Sequence, residues 1–436
     1  MGASITAEFA TGREAPGIRT VALASAIGTT IEWYDFLLYG TAAALVFNKL
    51  FFPNLDSLAG TLASLGTYAV GFVARPVGGA IFGHFGDRIG RTAMLMLTMV
   101  IMGLGTFLIG CLPTYAQIGI WAPVLLVTLR LLQGIGIGGE WGGAVLMVLE
   151  HSKKGRRGLL GSLVQIGFPA GMLLATLAFR AVSKMPEPDL LSWGWRLPFL
   201  GSLLLVFIGV FVRLRLVETP PFRELQARRA TLEQPVLHVL VREWRAFLVA
   251  VGMKVSEVAW VYILTVFVVM YATAQLKMPR AVILDAVLYA AAIELVTVPL
   301  FGWLSDRWGR RPLYIGGLLL SVAMAFPLFA LIQTRDAGII TLTLVIAMSI
   351  GHATMYGPQA SFMPELFSTG SRYSGASLGC QVSAALSGGF APMIATGLLA
   401  WSGSTHAVSA FMVVLALISL VAVTVAQETS HRPLRG

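Results

Sequence analysis

Charged residues are scarce in this chain: only 12% of its 436 residues are Asp, Glu, Lys or Arg, whereas 56% are hydrophobic. Soluble proteins carry about twice that share of charge, and so few charges cannot cover so much apolar surface in water. Cysteine is also rare, and Cys111 and Cys380 form neither a metal-ligand spacing nor a redox motif. These absences exclude an ordinary soluble enzyme, a disordered protein and a disulfide-built secreted domain.

Long apolar runs are what the sequence has in abundance. A membrane-spanning helix needs about 20 apolar residues, and residues 1–18 are polar without the apolar core of a signal peptide. We therefore predict an all-α membrane protein with twelve transmembrane helices. The segments lie at 19–47, 58–85, 91–112, 119–149, 158–180, 194–212, 246–274, 281–304, 312–333, 337–363, 373–401 and 405–426.

The net charge of +10 is distributed unevenly between the two sides of these segments. Of the 31 Lys and Arg residues, 21 fall in the loops and tails on the side of the N-terminus, and 7 fall on the other side. Because basic loops stay in the cytoplasm, this asymmetry predicts that both termini are cytoplasmic. The positive charge is therefore explained by membrane topology, and we expect no nucleic-acid partner.

A nine-residue motif occurs twice, as GHFGDRIGR at 83–91 and GWLSDRWGR at 302–310. Each copy follows the second apolar segment of its half. The repeat predicts two six-helix halves, 1–212 and 246–436, joined by a cytoplasmic linker at 213–245. Parallel repeats of this kind enclose a cavity on the axis between them.

These paired motifs resemble the signature of the major facilitator superfamily, and the chain is more narrowly similar to the metabolite:proton symporter family, above all to shikimate-type permeases. The resemblance implies the major facilitator fold, alternating access, import, and a place in the bacterial inner membrane. The further motifs that carry it are IEWYDFLLYG at 31–40, ARPVGGAIFGHFGDRIGR at 74–91, RLLQGIGIGGEWGGA at 130–144, SWGWRLPF at 192–199, PELF at 364–367 and RYSGASLG at 372–379.

Charges inside a bilayer are costly and mark function by default. Asp35 and Arg130 fall in the outer half of the first and fourth segments, and we predict that they pair and that Asp35 is the coupling acid; related sugar porters also place a first-helix Asp near a fourth-helix Arg. A static ion pair is the alternative. Glu140 is either a second protonation site or the partner of Arg75. The predicted proton-coupling residues are Asp35, Arg130, Glu32 and Glu140.

Substrate contacts are predicted from polar residues at mid-depth. Arg75 is suited to a bidentate contact with a carboxylate, unless it is bonded to Glu140 or Glu32. Lys254 and Glu257 are one helical turn apart and would satisfy each other in the alternative reading. The predicted substrate-binding residues are Tyr34, Tyr39, Arg75, Gln133, Lys254, Glu257, His352, Tyr356 and Gln359.

The loop motifs predict a gate, because each Asp can bond to a neighbouring helix N-terminus or Arg at the cytoplasmic surface. The predicted gating residues are Asp87, Arg88, Arg91, Glu150, Arg157, Asp306, Arg307 and Arg310. A different pattern, the G-x-G-x-x-G of Gly134, Gly136 and Gly139, lies inside an apolar segment and indicates close helix packing rather than nucleotide binding.

Together these features predict a proton-coupled symporter that imports a small polar metabolite, a carboxylate such as shikimate, a dicarboxylate or a 2-oxo acid. The alternatives are a betaine/proline osmolyte symporter and a drug or metabolite:proton antiporter. Neither a nucleophile–base set nor a metal cluster is found, so we expect no enzyme activity and no cofactor beyond the coupling proton. The expected partners are an anionic metabolite and the lipid bilayer, and the expected state is a monomer.

Overall fold

The computed structural model describes residues 18–213 and 235–430, apart from residues 90, 151, 153, 154, 369 and 370, and it leaves the side chains of 18–21, 83–95, 147, 150, 212, 213 and 235 undescribed. Within these ranges all regular structure is helical. The long helices are α1 (18–51), α2 (Ser57–Ile89), α3 (Arg91–Cys111), α4 (121–150), α5 (Arg157–Val182), α6 (187–213), α7 (Trp244–Gln275), α8 (Arg280–Trp308), α9 (Arg310–Gln333), α10 (Ala337–Glu365), α11 (Arg372–Ser402) and α12 (Thr405–Val425).

Each predicted apolar segment coincides with one long helix to within a few residues, so the prediction of an all-α protein with twelve helices is confirmed. Ten of the helices are long and apolar enough over their described residues to cross a membrane, and α3 contains a shorter apolar stretch, Met96–Cys111. The division into halves at 212 and 246 stays a prediction. Residues 214–234 of the predicted linker lie outside the described part, and a short helix, Pro235–Arg242, precedes α7.

Contacts between the two halves run mainly through two sets of helices. In one, α2 packs against α11; in the other, α5 packs against α8 and α10. Helix α7 is buried through its middle, over most of residues 250–272, and this part therefore runs through the interior of the bundle. The cavity between the halves is consequently lined by helices from both repeats.

Glycines bring α2 and α4 into backbone contact. A Cβ on Gly134 would lie 2.1 Å from the carbonyl oxygen of Gly71, and one on Gly138 would lie 2.1 Å from the carbonyl oxygen of Arg75. Such approaches leave no room for a side chain. The interpretation of the G-x-G-x-x-G pattern as close helix packing is confirmed, and the packing places Arg75 and Arg130 on adjoining helices.

Several helices depart from regular α geometry near mid-depth. Helix α4 is interrupted at residues 138–139, and π-helical turns occur at Ile263–Phe267 in α7, Ile346–His352 in α10 and Ala384–Gly388 in α11. Such turns change which side chains face a neighbour and are frequent at functional sites. The turn in α10 ends at His352, which lies in the polar cluster described below.

Candidate functional site

A narrow cavity of about 30 Å³, measured as the space open to the centre of a water-sized sphere, lies between the two halves. It is bordered by two acidic and two basic side chains and by several aromatic rings. Its lining residues are Glu32, Trp33, Phe72, Arg75, Trp141, Lys254, Glu257, Val258, Val261, Tyr262, Tyr356, Cys380, Gln381 and Ala384.

Arg75 is the cavity cation that no carboxylate neutralises in the described part of the chain. Its guanidinium carbon lies 4.0 Å from the ring centre of Phe36 and 4.4 Å from that of Phe72. The Nε and Nη2 atoms have no hydrogen-bond partner among the described residues, although the side chain is buried. Within the described residues, Arg75 forms no ion pair shorter than 4 Å with Glu32 or Glu140, the two partners considered from the sequence. A planar donor fork at a cavity wall can bind a carboxylate through two hydrogen bonds.

Lys254 is already engaged. Its Nζ donates to Glu257 Oε2 over 3.0 Å and to Gln359 Oε1 over 2.6 Å. The amide nitrogen of Gln359 donates in turn to Glu257 Oε2 over 2.9 Å. The alternative reading, in which Lys254 and Glu257 satisfy each other, is therefore confirmed, while both still border the cavity.

His352 lies behind Glu257 and not on the cavity wall. Its Nε2 is 2.9 Å from Glu257 Oε1, and its Nδ1 is 2.5 Å from Glu294 Oε1. The ring of Tyr356 stacks on the imidazole at 4.8 Å, and Phe168 meets it edge-on at 5.2 Å. The sequence placed His352 among the substrate contacts; in the structure it joins two buried carboxylates from α7 and α8.

Three other predicted substrate residues do not reach the cavity. The hydroxyl of Tyr34 donates to the carbonyl oxygen of Pro198 over 2.6 Å, and that of Tyr39 shares a 2.6 Å hydrogen bond with Thr67 Oγ1. Gln133 accepts from Arg130 and donates to Thr106. Like Gln359, these side chains use their polar groups within the protein, so that Arg75, Lys254, Glu257 and Tyr356 remain as the predicted substrate residues on the cavity wall.

The predicted ion pair between Asp35 and Arg130 is absent, although both residues are described and buried. Neither carboxylate oxygen of Asp35 has a hydrogen-bond partner within the described ranges. The Arg130 guanidinium instead lies over the rings of Phe36 and Tyr39, at 3.9 and 4.1 Å, and Nη1 donates to Gln133 over 3.2 Å. In this conformation the cation thus contacts the aromatic faces and the amide of Gln133 and forms no ion pair with Asp35.

The other two predicted coupling acids occupy different places. Glu32 borders the cavity, whereas Glu140 is buried at the first residue after the interruption of α4. Sequence reasoning missed Trp33, Phe72 and Gln381 as lining residues. Gln381 offered a signal, since it is an amide in a mostly apolar helix, and its Oε1 has no hydrogen-bond partner in the part of the chain that the structure describes.

A polar network joins the two halves on the face where helix α1 begins and helix α12 ends, which we call the terminal face. The carboxylate of Asp306 accepts from the backbone nitrogens of Gly158 and Leu159, over 2.8 and 3.0 Å. Arg310 pairs with Asp306 at 2.9 Å, and Glu365 lies 3.5 Å from Arg310. The α8 carboxylate thus binds the N-terminal end of α5, as helix-end electrostatics favour.

This network brings together three of the predicted gating residues. Arg157 joins it through Glu365, at 3.9 Å, and Glu365 was missed by the sequence reasoning. Arg307 instead places its guanidinium carbon 3.9 Å from the ring centre of Trp303. The side chains of four further gating candidates lie outside the described residues: Asp87, Arg88, Arg91 and Glu150.

Ion pairs also join the halves on the opposite face. Arg180 at the end of α5 pairs with Asp285 near the start of α8. Glu187 lies 2.5 Å from Lys49 and 3.5 Å from Arg280, which belongs to the other half. Contacts between charged groups and their partners thus bridge the two halves on both faces of the bundle.

Neutralising Asp285 is expected to open the opposite face. In Asp285→Asn the pair with Arg180 loses its charge, so the barrier between the halves weakens and Cys380 in the cavity becomes more reactive. In a Cys111→Ser background, we expect a several-fold faster reaction of Cys380 with a charged thiol reagent, because each 1.4 kcal/mol lost from the closed state is a tenfold change in population.

The matched control is Asp336→Asn, because Asp336 lies on the same face and its carboxylate contacts the start of its own helix, α10. It should leave the Cys380 rate unchanged. An equal rate in Asp285→Asn and the parent protein would show that the Arg180–Asp285 pair does not hold this face closed.

Comparison with known proteins finds relatives of one superfamily. The profile of the Major Facilitator Superfamily matches residues 25–386 and 259–435. A shikimate transporter of Escherichia coli (strain K12) is 41% identical over 95% of this chain and 95% of its own length. A proline/betaine transporter of Salmonella typhimurium is 35% identical over 96% of this chain and 85% of its own length.

A solved structure shares the same architecture. The crystal structure of a D-xylose-proton symporter superposes with a TM-score of 0.72 over 96% of this chain and 100% of its own chain, at 20% identity. At that identity the likeness concerns the fold. The sequence relatives, by contrast, are similar over nearly the whole chain.

Proposed function

Because the chain belongs to the major facilitator superfamily, and is therefore a multi-pass membrane transporter and not an enzyme, we propose that it imports a small carboxylate-bearing metabolite together with protons. The transport cycle is alternating access around the central cavity. The substrates supported best are shikimate-like hydroxy acids; dicarboxylates and 2-oxo acids share the carboxylate that the site would bind. The proton is the coupling ion, and no other cofactor is required.

The observation that carries this proposal is Arg75. Its guanidinium faces the cavity with two nitrogen atoms that no described residue pairs, whereas Lys254 is neutralised by Glu257. A substrate carboxylate would supply the missing partner, and a charge-assisted bond of this kind contributes about 1.5–3 kcal/mol. The unpartnered Oε1 of Gln381 and hydroxyl of Tyr356, both on cavity-lining residues, are available to substrate hydroxyl groups.

Coupling is assigned to Asp35. An ionised carboxylate without hydrogen bonds costs several kcal/mol in a membrane interior, so Asp35 is expected to carry a proton in this conformation. When Arg130 leaves the aromatic faces and approaches Asp35, the carboxylate is stabilised and the proton is released. A movement of Arg130 would thus link proton release to the conformational cycle.

The orientation in the membrane is proposed from the charge asymmetry, and import is proposed from the similarity to metabolite transporters. The excess of Lys and Arg on the terminal face supports a cytoplasmic location of both termini, and one relative is an inner membrane metabolite transport protein of Escherichia coli (strain K12). We accordingly propose a monomer in the bacterial inner membrane. The Arg180–Asp285 pair would close the outer face, and the Asp306 network would close the inner face.

A zwitterionic osmolyte is the second candidate substrate. Glu32 borders the cavity together with Trp33, Trp141 and Tyr262. Aromatic faces and a carboxylate are the groups that bind a quaternary ammonium, while Arg75 would bind the carboxylate of the same molecule. The similarity to a proline/betaine transporter agrees with this alternative.

The test is uptake by proteoliposomes that contain the purified protein and carry an imposed inward proton gradient. The panel comprises labelled shikimate, a dicarboxylate, a 2-oxo acid, glycine betaine and proline. Accumulation of an acid that a protonophore collapses would support the main proposal. Accumulation of betaine or proline alone would favour the osmolyte, and no gradient-dependent accumulation of any probe would overturn proton-coupled import.

A further inference from the structure

The cluster around His352 is a second charged site, separate from Asp35 and Arg130 and not needed by the coupling described above. It joins α7, α8 and α10 through Glu257, Glu294 and His352, all of which are buried. The Oε2 atom of Glu294 has no hydrogen-bond partner among the residues that the structure describes. The cluster thus places three ionisable groups within the membrane and leaves one oxygen unpaired. The number of protons that it holds therefore has to be determined.

The number of protons follows from the hydrogen atoms that the two contacts of the imidazole require. The contacts of 2.9 Å from Nε2 to Glu257 and 2.5 Å from Nδ1 to Glu294 are hydrogen-bond distances. Each requires one hydrogen between nitrogen and oxygen, because two lone pairs repel each other at such separations. A neutral imidazole carries only one hydrogen. The second is an additional proton, placed either on the imidazole or on one of the carboxyl groups.

The charges lead to the same count. With the additional proton, the two carboxylates are balanced by an imidazolium and the Lys254 ammonium, so the cluster is neutral. Without it the cluster carries one uncompensated negative charge. The described groups that surround the imidazole supply no further charge: Tyr356 stacks on it from its own helix, Phe168 packs from α5, and Gln359 links Glu257 to Tyr314 of α9.

The cluster is also connected to the cavity. Glu257 and Lys254 border the cavity, His352 lies behind them, and Glu294 lies deepest. A substrate carboxylate that attracts Lys254 would loosen its contact with Glu257 and so change how firmly the additional proton is held. The π-helical turn that ends at His352 gives α10 a place to adjust.

We propose that His352, Glu257 and Glu294 form a second proton site, which takes up one proton and releases it in each transport cycle in addition to the proton at Asp35. This inference rests on the proposed function. Its consequence is a change in the charge moved. A monoanionic substrate such as shikimate with one proton crosses without net charge, whereas the same substrate with two protons carries one positive charge inward.

The test compares the parent protein with Glu294→Gln in proteoliposomes, using shikimate as the probe. The amide in this variant retains the shape of the side chain but binds no proton, and the Lys254–Glu257 pair remains. We expect shikimate to evoke an inward current on a supported membrane in the parent protein. In Glu294→Gln the current should be lost, while uptake driven by a pH gradient persists. Asp336→Asn, which neutralises an exposed carboxylate at the start of its own helix, is the control and should keep the current.

The outcomes separate the two proposals. If the parent protein accumulates shikimate but Glu294→Gln gives the same current per molecule, the second proton site is overturned and proton-coupled import stands. If the parent protein shows no gradient-driven uptake, both proposals fail. Should Glu294→Gln not fold, His352→Gln replaces it, and pH-dependent infrared spectra of the purified proteins provide a second readout. A deprotonating carboxyl or imidazolium band should be present in the parent protein and absent in the variant; identical spectra would overturn the site.

Discussion

Asp35→Asn is expected to reduce the accumulation ratio under an inward pH gradient to about one, while shikimate exchange across the same membrane stays within a few-fold of the parent rate. A gradient of one pH unit supplies about 1.4 kcal/mol for each proton carried, which is a tenfold concentration ratio. The variant should lose all of it. The measurement is labelled shikimate uptake with and without the gradient, followed by exchange in preloaded vesicles.

The physical reason lies in the unpaired state of both groups. Within the described part of the chain, Asp35 has no hydrogen-bond partner, and Arg130 rests on aromatic rings with its Nε and Nη2 unpaired. In our proposal the unloaded carrier returns with Asp35 ionised and paired with Arg130. The asparagine side chain of the variant resembles the protonated carboxyl, so binding and exchange continue. It cannot neutralise Arg130, however, and the uncompensated charge stalls the return step.

Asp35→Glu is the informative partner variant, because it keeps a titratable group on a longer side chain and should restore part of the accumulation. Asp336→Asn, which neutralises a carboxylate at an exposed position, should accumulate shikimate as the parent does. If Asp35→Asn accumulates shikimate to the parent ratio, Asp35 is not the coupling acid and its burial must be explained structurally.

Arg75→Ala should raise the KM for shikimate by about 10- to 100-fold. A hydrogen-bonded charge pair contributes about 1.5–3 kcal/mol, and each 1.4 kcal/mol is a tenfold change in affinity. The KM of Arg75→Lys is expected to lie between those of the parent protein and Arg75→Ala. Lys keeps the charge but loses the planar fork that binds both carboxylate oxygens. Initial rates of shikimate uptake over a concentration series provide the measurement.

The substrate itself supplies the sharpest control for this position. The methyl ester of shikimate has no charged carboxylate, so its inhibition of uptake should be equally weak in the parent protein and in Arg75→Ala. Arg242→Ala removes an exposed arginine at the end of the short helix Pro235–Arg242, away from the cavity, and should leave the KM unchanged. A parent-like KM in Arg75→Ala would mean that the guanidinium serves packing against Phe36 and Phe72 alone.

The candidate site was predictable in its composition and only partly in its arrangement. Arg75, Lys254, Glu257 and Tyr356 were identified because polar groups in apolar helices are costly and therefore few. Gln133 satisfied the same criterion, yet its amide bonds to Arg130 and Thr106 and does not reach the cavity. The residue type indicates that a polar group needs a partner, but it does not indicate whether the partner is substrate or protein.

The gating residues were also predictable in their identity and only partly in their contacts. The repeated motif placed Asp306 and Arg310 at a helix end, and the structure adds Glu365 from α10 and the backbone of α5. The Arg180–Asp285 pair on the opposite face belongs to no repeated motif. It depends on α5 and α8 lying side by side, which no local pattern in either segment reveals.

The sequence by itself determined the twelve helices, because insertion into a bilayer depends on the length and apolarity of each segment and on the charges beside it. The internal repeat could likewise be found without the structure, because it is visible as two similar motifs in the amino-acid sequence. Only the tertiary structure decided that His352 bridges Glu257 and Glu294, and that Arg130 lies on aromatic rings and not on Asp35. Such pairings depend on how each helix is rotated and bent relative to its neighbours, and the π-helical turns and the interruption in α4 change that rotation at mid-depth.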